Sequence, residues 1–420
     1  QWQQTNSLLY ISNNVHSVVH KTAAATPATT SGLGNGDILV DSDHFTRDLK
    51  SGISTYQDNV HVTGTNVLLA AAQMSLTLPL TNGVITLLTN ATWVSGVRNG
   101  GADELDIDRV TNSLTAIGNA FLKMPGSAMG TNSTETSTNK TVEILSERYV
   151  LMTNWAEFHS NVRVTQYDSN QPTGTLTAEL VTADIAGGNA IQSVVAETNV
   201  VVEQEDGRFT GQLAKFFATN STAIFSGKPT WAKGDRSGAG DVLFVDQGQS
   251  QMTVVSNAMM KLPGNALGSA TNTATTNAVP AFTIVTSDNY TVKAGHAEFH
   301  GHAHIDDPKM QVTSELLTAD SLPGSTNIER IVADKHVVGD LTDSNGKITH
   351  VTSDHALYTL SDGLLRLTGT PVLKNDQGWL TGSIIVWDRT YDLLIARNQR
   401  MIFQSTNGAT STMPAPLDTK

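Results

Sequence analysis

Cysteine is absent from the 420 residues. That excludes a disulfide framework, cysteine-ligated zinc and thiol catalysis, and it fits the bacterial periplasm, where disulfide chemistry acts on whatever thiols arrive. Charge is scarce as well: Asp, Glu, Lys and Arg make up 15% of the chain, against about 25% in an average globular protein. The 26 Lys and Arg are scattered and outnumbered by 39 Asp and Glu, for a net charge of -13. A nucleic-acid partner needs a basic stripe, which this chain lacks, and avid adsorption to an anionic membrane is disfavoured on the same ground. No apolar run approaches the roughly 20 residues that span a bilayer as a helix. The chain begins at Gln1 without a leader, so an exported product whose signal or N-terminal anchor has been removed is expected.

In place of charge the chain has Thr, Asn, Ser and Gly, which suit strands and turns. Its length allows two to four domains at roughly 150 residues each. Internal repeats set the organisation. Gly101-Ala102-Asp103 leads to Gly118-Asn119-Ala120 and ends in Leu122-Lys123-Met124-Pro125-Gly126; Gly238-Ala239-Gly240-Asp241 leads to Ser256-Asn257-Ala258 and ends in Met260-Lys261-Leu262-Pro263-Gly264. Likewise Ala156-Glu157-Phe158-His159-Ser160-Asn161-Val162-Arg163-Val164 matches Ala297-Glu298-Phe299-His300-Gly301-His302-Ala303-His304-Ile305, with a weaker copy at Tyr56–Val62. Three units are expected, at 37–126 (shorter, with some strands missing), 142–264 and 282–403. They are flanked by an N-terminal segment 1–36 and a flexible tail 404–420, and joined by Thr/Ser/Asn-rich loops.

Within the units the period is two. Ala297, Phe299, Gly301, Ala303 and Ile305 fall on one face, and Glu298, His300, His302 and His304 on the other, so one face is packed and one is wet. Turn dipeptides recur at 35–36, 82–83, 206–207, 345–346 and 362–363, each accepting the positive φ of a tight hairpin. Helix signals are poor. The expected fold is all-β: tandem antiparallel jellyroll or folded-over sheets whose apolar faces meet, stacked into an elongated structure with terminal edges open to partners.

Val351-Thr352-Ser353-Asp354-His355-Ala356-Leu357-Tyr358, then Leu365-Arg366-Leu367-Thr368-Gly369-Thr370-Pro371-Val372, then Leu380, Gly382, Ile385 and Asp388 resemble the S-D-x-A-x-Y, L-x-G-x-P-V and L-x-G-x-x-I-x-x-D patterns of the OstA/LptA-like family. The Ala-Glu-Phe stretches resemble the opening strands of that family and its LptC relatives. The resemblance covers about two-thirds of the chain, although this chain is longer than a single-domain member and carries Thr/Asn-rich insertions. It implies a β-jellyroll with an apolar groove that passes lipopolysaccharide across the periplasm toward the outer membrane. It also implies edge-to-edge association with other Lpt-type proteins, or with a second copy, through terminal strands.

A dry trough suits acyl chains, because each buried methylene contributes about 0.8 kcal/mol. The expected groove residues are Val60, Val62, Phe158, Val162, Val164, Leu176, Phe299, Ile305, Leu316, Leu365 and Leu367, with core filling as the alternative for each. His300, His302 and His304, near His296 and Asp306-Asp307, are the metal candidates, since His-x-His on a strand can chelate zinc or copper; a solvated polar face is the simpler reading. No cofactor is implied. No nucleophile elbow or phosphate loop is present. Asp108, Asp246 and Asp388 each close a strand-like run, which reads as turn formation rather than a paired-carboxylate site. A non-enzymatic lipid carrier is therefore expected, with a structural or adhesive envelope repeat protein as the alternative.

Overall fold

The computed structural model describes residues 2–5, 7–20, 37–77, 84–108, 110–126, 140–186, 190–205, 207–263, 282–322, 328–343, 346–388, 391, 393–403 and 411–412. The expected turns at 35–36 and 82–83, and the low-complexity stretches at 21–36, 131–139, 269–277 and 404–410, lie outside them. The described residues form antiparallel strands and no α-helix. The chain divides into two compact units, Gln1–Ala223 and Ile224–Lys420; that boundary falls inside the stretch 142–264. The stretch 37–126, expected to be short of strands, carries six strands of ten residues or more.

The first unit is an unbroken meander in which each strand pairs with the next, from Trp2–Thr5 to Gly207–Phe217. In the second, Arg236–Ala239 and Val242–Asp246 lie on opposite halves of the long strand Gln251–Pro263. The meander then runs through Phe282–Lys293, His296–Asp307, Met310–Ser321 and Ile328–Thr342 to Ile348–Thr359. There the sheet splits. Leu364–Thr368 takes one half of Ile348–Thr359 and Val372–Asn375 the other, and each continues as its own ribbon. Both closing Pro-Gly pairs of the repeat mark strand ends, at Pro125 and Pro263.

Most long strands are bent at mid-length, and the bend has a sequence code. On alternate strands two successive residues adopt positive φ: Asp58-Asn59, Thr89-Asn90, Gly118-Asn119, Ser160-Asn161, Thr198-Asn199, Ser256-Asn257, Gly301-His302 and Lys335-His336. Each pair carries one more residue than the facing strand, as in the slip from His159↔Leu180 to Val162↔Ala178. An inserted residue of this kind bends and twists the ladder. Immediately after it comes a buried Val or Ala, including Val60, Ala91, Ala120, Val162, Val200, Ala258, Ala303 and Val337, each 0–1% exposed. The facing strand supplies a small residue there, as in Val60↔Ala71, Ala120↔Ser146, Ala258↔Ser287 and Val337↔Ser353. Acids of neighbouring segments meet several of these corners. Asp43, Asp103 and Asp241 accept hydrogen bonds from Asn59, Asn119 and Asn257 at 2.7, 2.9 and 2.9 Å. Asp288 and Glu315 meet His302 and His336 at 3.1 and 2.9 Å.

Asn tolerates the left-handed region because its short amide bonds locally, while a β-branched side chain there is an outlier. Asn161→Val is therefore expected to cost about 2 kcal/mol, and Asn161→Gly less than about 0.5 kcal/mol, read as shifts of the urea midpoint. Equal losses for the two variants would show that conformation at the corner is not what Asn161 provides.

Candidate functional site

The corners fold each sheet so that two arms face each other. In the first unit one arm presents the ladder Tyr56, Met74, Leu87, Leu105, Ala116, Tyr149 and Phe158, each pairing with the next. The other presents Val62, Leu69, Trp93, Gly100, Leu122 and Ile144 in the same way. Trp93 donates its indole N–H to the Tyr149 hydroxyl at 2.8 Å, so a hydrogen bond crosses from arm to arm. The second unit repeats it, with Trp231 donating to Tyr290 at 2.6 Å. Burial pushes both phenols above their ordinary pKa, so each stays a neutral acceptor. Gly100 and Gly238 lie under these bars, where any side chain would meet the indole and the phenol.

The predicted groove residues separate into four groups. Val60, Val62, Phe158 and Val162 in the first unit, and Leu365 and Leu367 in the second, are buried among protein side chains. Val164 and Leu176 pair with each other and stand half-buried, in a row continued by Val202 and Phe209. Phe299 and Ile305 line a cavity of about 220 Å³ in the second unit. Leu316 faces the other way: it pairs with His300 on the outer face, while Leu317 pairs with Phe299 and enters the cavity. Opposite the bulge at Gly301-His302 this strand runs one residue short and its alternation shifts by one, so a strict period of two carried through it selects the wrong leucine.

The cavity touches both arms of the same bent strands, for it is lined by Val285 and Val292 of Phe282–Lys293 and by Ile305 and Phe299 of His296–Asp307. Its space lies between the arms. Trp231, Met260 and Ile331 add apolar surface, and Arg236 and His296 bring polar groups to the wall. Thr283 donates to the buried Asp307 carboxylate at 2.6 Å.

His300, His302 and His304 lie on the outer face, and His296 opens the same strand at the cavity wall. His296 stands between Asp320 at 2.5 Å and Glu298 at 3.0 Å. His300 meets the same Glu298 at 3.3 Å, and His302 faces Asp288. Among the described residues no three His, Asp or Glu side chains converge as metal ligands, and His300, His302 and His304 stay apart in that sense. Hydrogen bonding to Asp320, then Glu298, raises the His296 pKa. Hydrogen bonds from His296 and His300 lower that of Glu298. Partial burial opposes ionisation of Asp320, but His296 and Arg330 outweigh it and hold its pKa low. A raised histidine stabilises the fold below its unfolded pKa of about 6.5 and loses that contribution as pH rises through the folded value; lowered carboxylates contribute above about 4 and lose it as pH falls. His296→Ala should therefore shift the urea midpoint most near pH 5–6 and least above pH 8. A difference that grows toward alkaline pH would contradict the pairing.

The hairpin behind the crossbars is itself duplicated in the sequence. Trp93-Val94-Ser95-Gly96-Val97-Arg98-Asn99-Gly100 and Trp231-Ala232-Lys233-Gly234-Asp235-Arg236-Ser237-Gly238 share the spacing W-x-x-G-x-R-x-G. The longer matches that define the repeats start only at its end, so the hairpin lies outside them. Asp108, Asp246 and Asp388 sit where turn formers belong: each accepts a backbone N–H two or three residues on, from Val110, Gln249 and Tyr391.

No family model matches the chain, and no curated protein matches it. Among solved structures it is similar to LptH, described as the LptA homologous periplasmic component of the conserved lipopolysaccharide transport device from Pseudomonas aeruginosa, at 15% identity and a TM-score of 0.25. The match covers 32% of this chain and 95% of that one.

Proposed function

We propose that this chain is a non-enzymatic lipid carrier of the bacterial envelope, holding acyl chains of lipopolysaccharide or a related lipid between the arms of its folded sheets. The observation that carries this reading is the apolar cavity between the arms of the second unit, lined by Phe299, Ile305 and Leu317. A folded sheet gains stability by closing its faces completely, so an apolar space left between the arms is a feature of a binding interior. The half-buried row Val164, Leu176, Val202 and Phe209 supplies further inward apolar surface in the first unit. The motif resemblance to LptA/OstA-like proteins agrees with a periplasmic location, and with partners of the Lpt type that add strands at the terminal edges. One such edge is Leu393–Arg397, where Leu393, Leu394 and Ile395 are 53%, 38% and 54% exposed.

The test is photocrosslinking with lipopolysaccharide carrying a photoreactive acyl chain, with adducts mapped by peptide mass spectrometry. Adducts concentrated on peptides containing Phe299, Ile305 and Leu317 are expected. Adducts confined to the His-bearing outer face, or none at all, would overturn the reading.

A further inference from the structure

Resting on the reading of this interior as an acyl-chain site, we propose that the cavity of the second unit binds single-chain anionic amphiphiles, with Arg236 receiving the head group. Size argues first. At about 220 Å³ the cavity is smaller than the roughly 300–1,000 Å³ of drug-sized pockets. It has room for one aliphatic chain at a time, whether on a single-chain amphiphile or one chain of a larger lipid. The wall is also fixed on one side, because Trp231 lines the cavity and is tied to the opposite arm through Tyr290.

Charge complementarity argues second. Arg236 opens its strand beside the turn at Gly234, is partly buried, and lines the cavity. Among the described residues its guanidinium has no hydrogen bond or ion pair, its backbone alone pairing with Lys233. Two other polar side chains at that wall are engaged already: His296 by Asp320 and Glu298, and the Thr283 hydroxyl by Asp307. Arg98, its counterpart in the duplicated hairpin, does have an interaction within the protein. A guanidinium beside an apolar cavity, with no partner of its own, suits a carboxylate or phosphate ester that it can hold through two parallel N–H donors.

Calorimetric titration of the full chain with dodecanoate, dodecyl phosphate and uncharged dodecanol tests this. Both anions should bind more tightly than the alcohol, and Arg236→Ala should weaken the anions by about tenfold or more while leaving dodecanol within about twofold. Arg236→Lys, which keeps the charge but loses the fork, should recover only part of the loss. Preference between the two anions tells carboxylate from phosphate. Equal binding of all three probes, or an unchanged affinity in Arg236→Ala, overturns the head-group assignment. If none of the three binds while photoreactive lipopolysaccharide still crosslinks to Phe299, the single-chain proposal fails and the carrier reading stands; if both fail, both are wrong.

Discussion

Replacing Gly100 by valine is expected to destabilise the Gln1–Ala223 unit by about 3–5 kcal/mol, near the top of the range for single substitutions. A Cβ at this position would lie 2.6 Å from the Trp93 indole nitrogen, 2.7 Å from the Phe121 carbonyl oxygen and 2.7 Å from the Tyr149 hydroxyl. The carbonyl belongs to the ladder and cannot withdraw without breaking it. The indole and phenol can yield only by giving up the hydrogen bond that joins the two arms. Overpacking costs about 1–3 kcal/mol, and each buried polar group left without its partner adds about 1–3 kcal/mol. The control lies in the same hairpin. Gly96 has φ +58, and a Cβ there would meet nothing within 4 Å, so Gly96→Ala should lose only about 1–2 kcal/mol to backbone strain. Urea unfolding followed by tryptophan fluorescence compares the two. If Gly100→Val loses no more than Gly96→Ala, the crossbar does not hold the arms.

The sequence displayed the strands plainly and the corners poorly. On the strands that carry the left-handed pair, both corner residues are inserted together, so alternation passes through unbroken: Phe158, Val162 and Val164 keep one parity, as do Phe299, Ala303 and Ile305. A period-two reading therefore runs straight across a bend without registering it, and Phe158, Val162, Phe299 and Ile305 are placed inward correctly. On the facing strands the spacing between inward residues drops to three, as from Ser314 to Leu317 or from Ala178 to Val181. The same reading then goes out of phase and selects Leu316. The corner code itself, Asn or His followed by Val or Ala, was visible as Asn119-Ala120, Asn161-Val162 and Asn257-Ala258. Those pairs sit inside the long repeats, whose spacing hides a period of two strands. The cavity was less accessible still. It depends on Trp231, Arg236, Ile305 and Ile331 meeting from strands separated by up to a hundred positions, and no local pattern distinguishes a residue that fills a core from one that borders a space within it.

That distinction is what Ala319→Trp addresses. Ala319 lines the cavity, pairs across its strand with Ala297, and is half-buried, so a larger side chain can enter the open space without displacing backbone. An indole projecting between the arms takes the volume an acyl chain would use. Each methylene kept out forfeits about 0.8 kcal/mol, so excluding about four of them weakens binding by roughly two orders of magnitude. Stability should move the other way or hardly at all, because filling an apolar void commonly adds about 0.5–2 kcal/mol. The two readouts, calorimetric affinity for dodecanoate and the urea midpoint, therefore separate. Were the cavity merely a packing defect, the variant would gain the same stability and leave lipid affinity untouched. Were Ala319 part of a tightly closed core, both would fall together through overpacking. Loss of binding with stability retained is the outcome that only a ligand-bearing space between the arms produces.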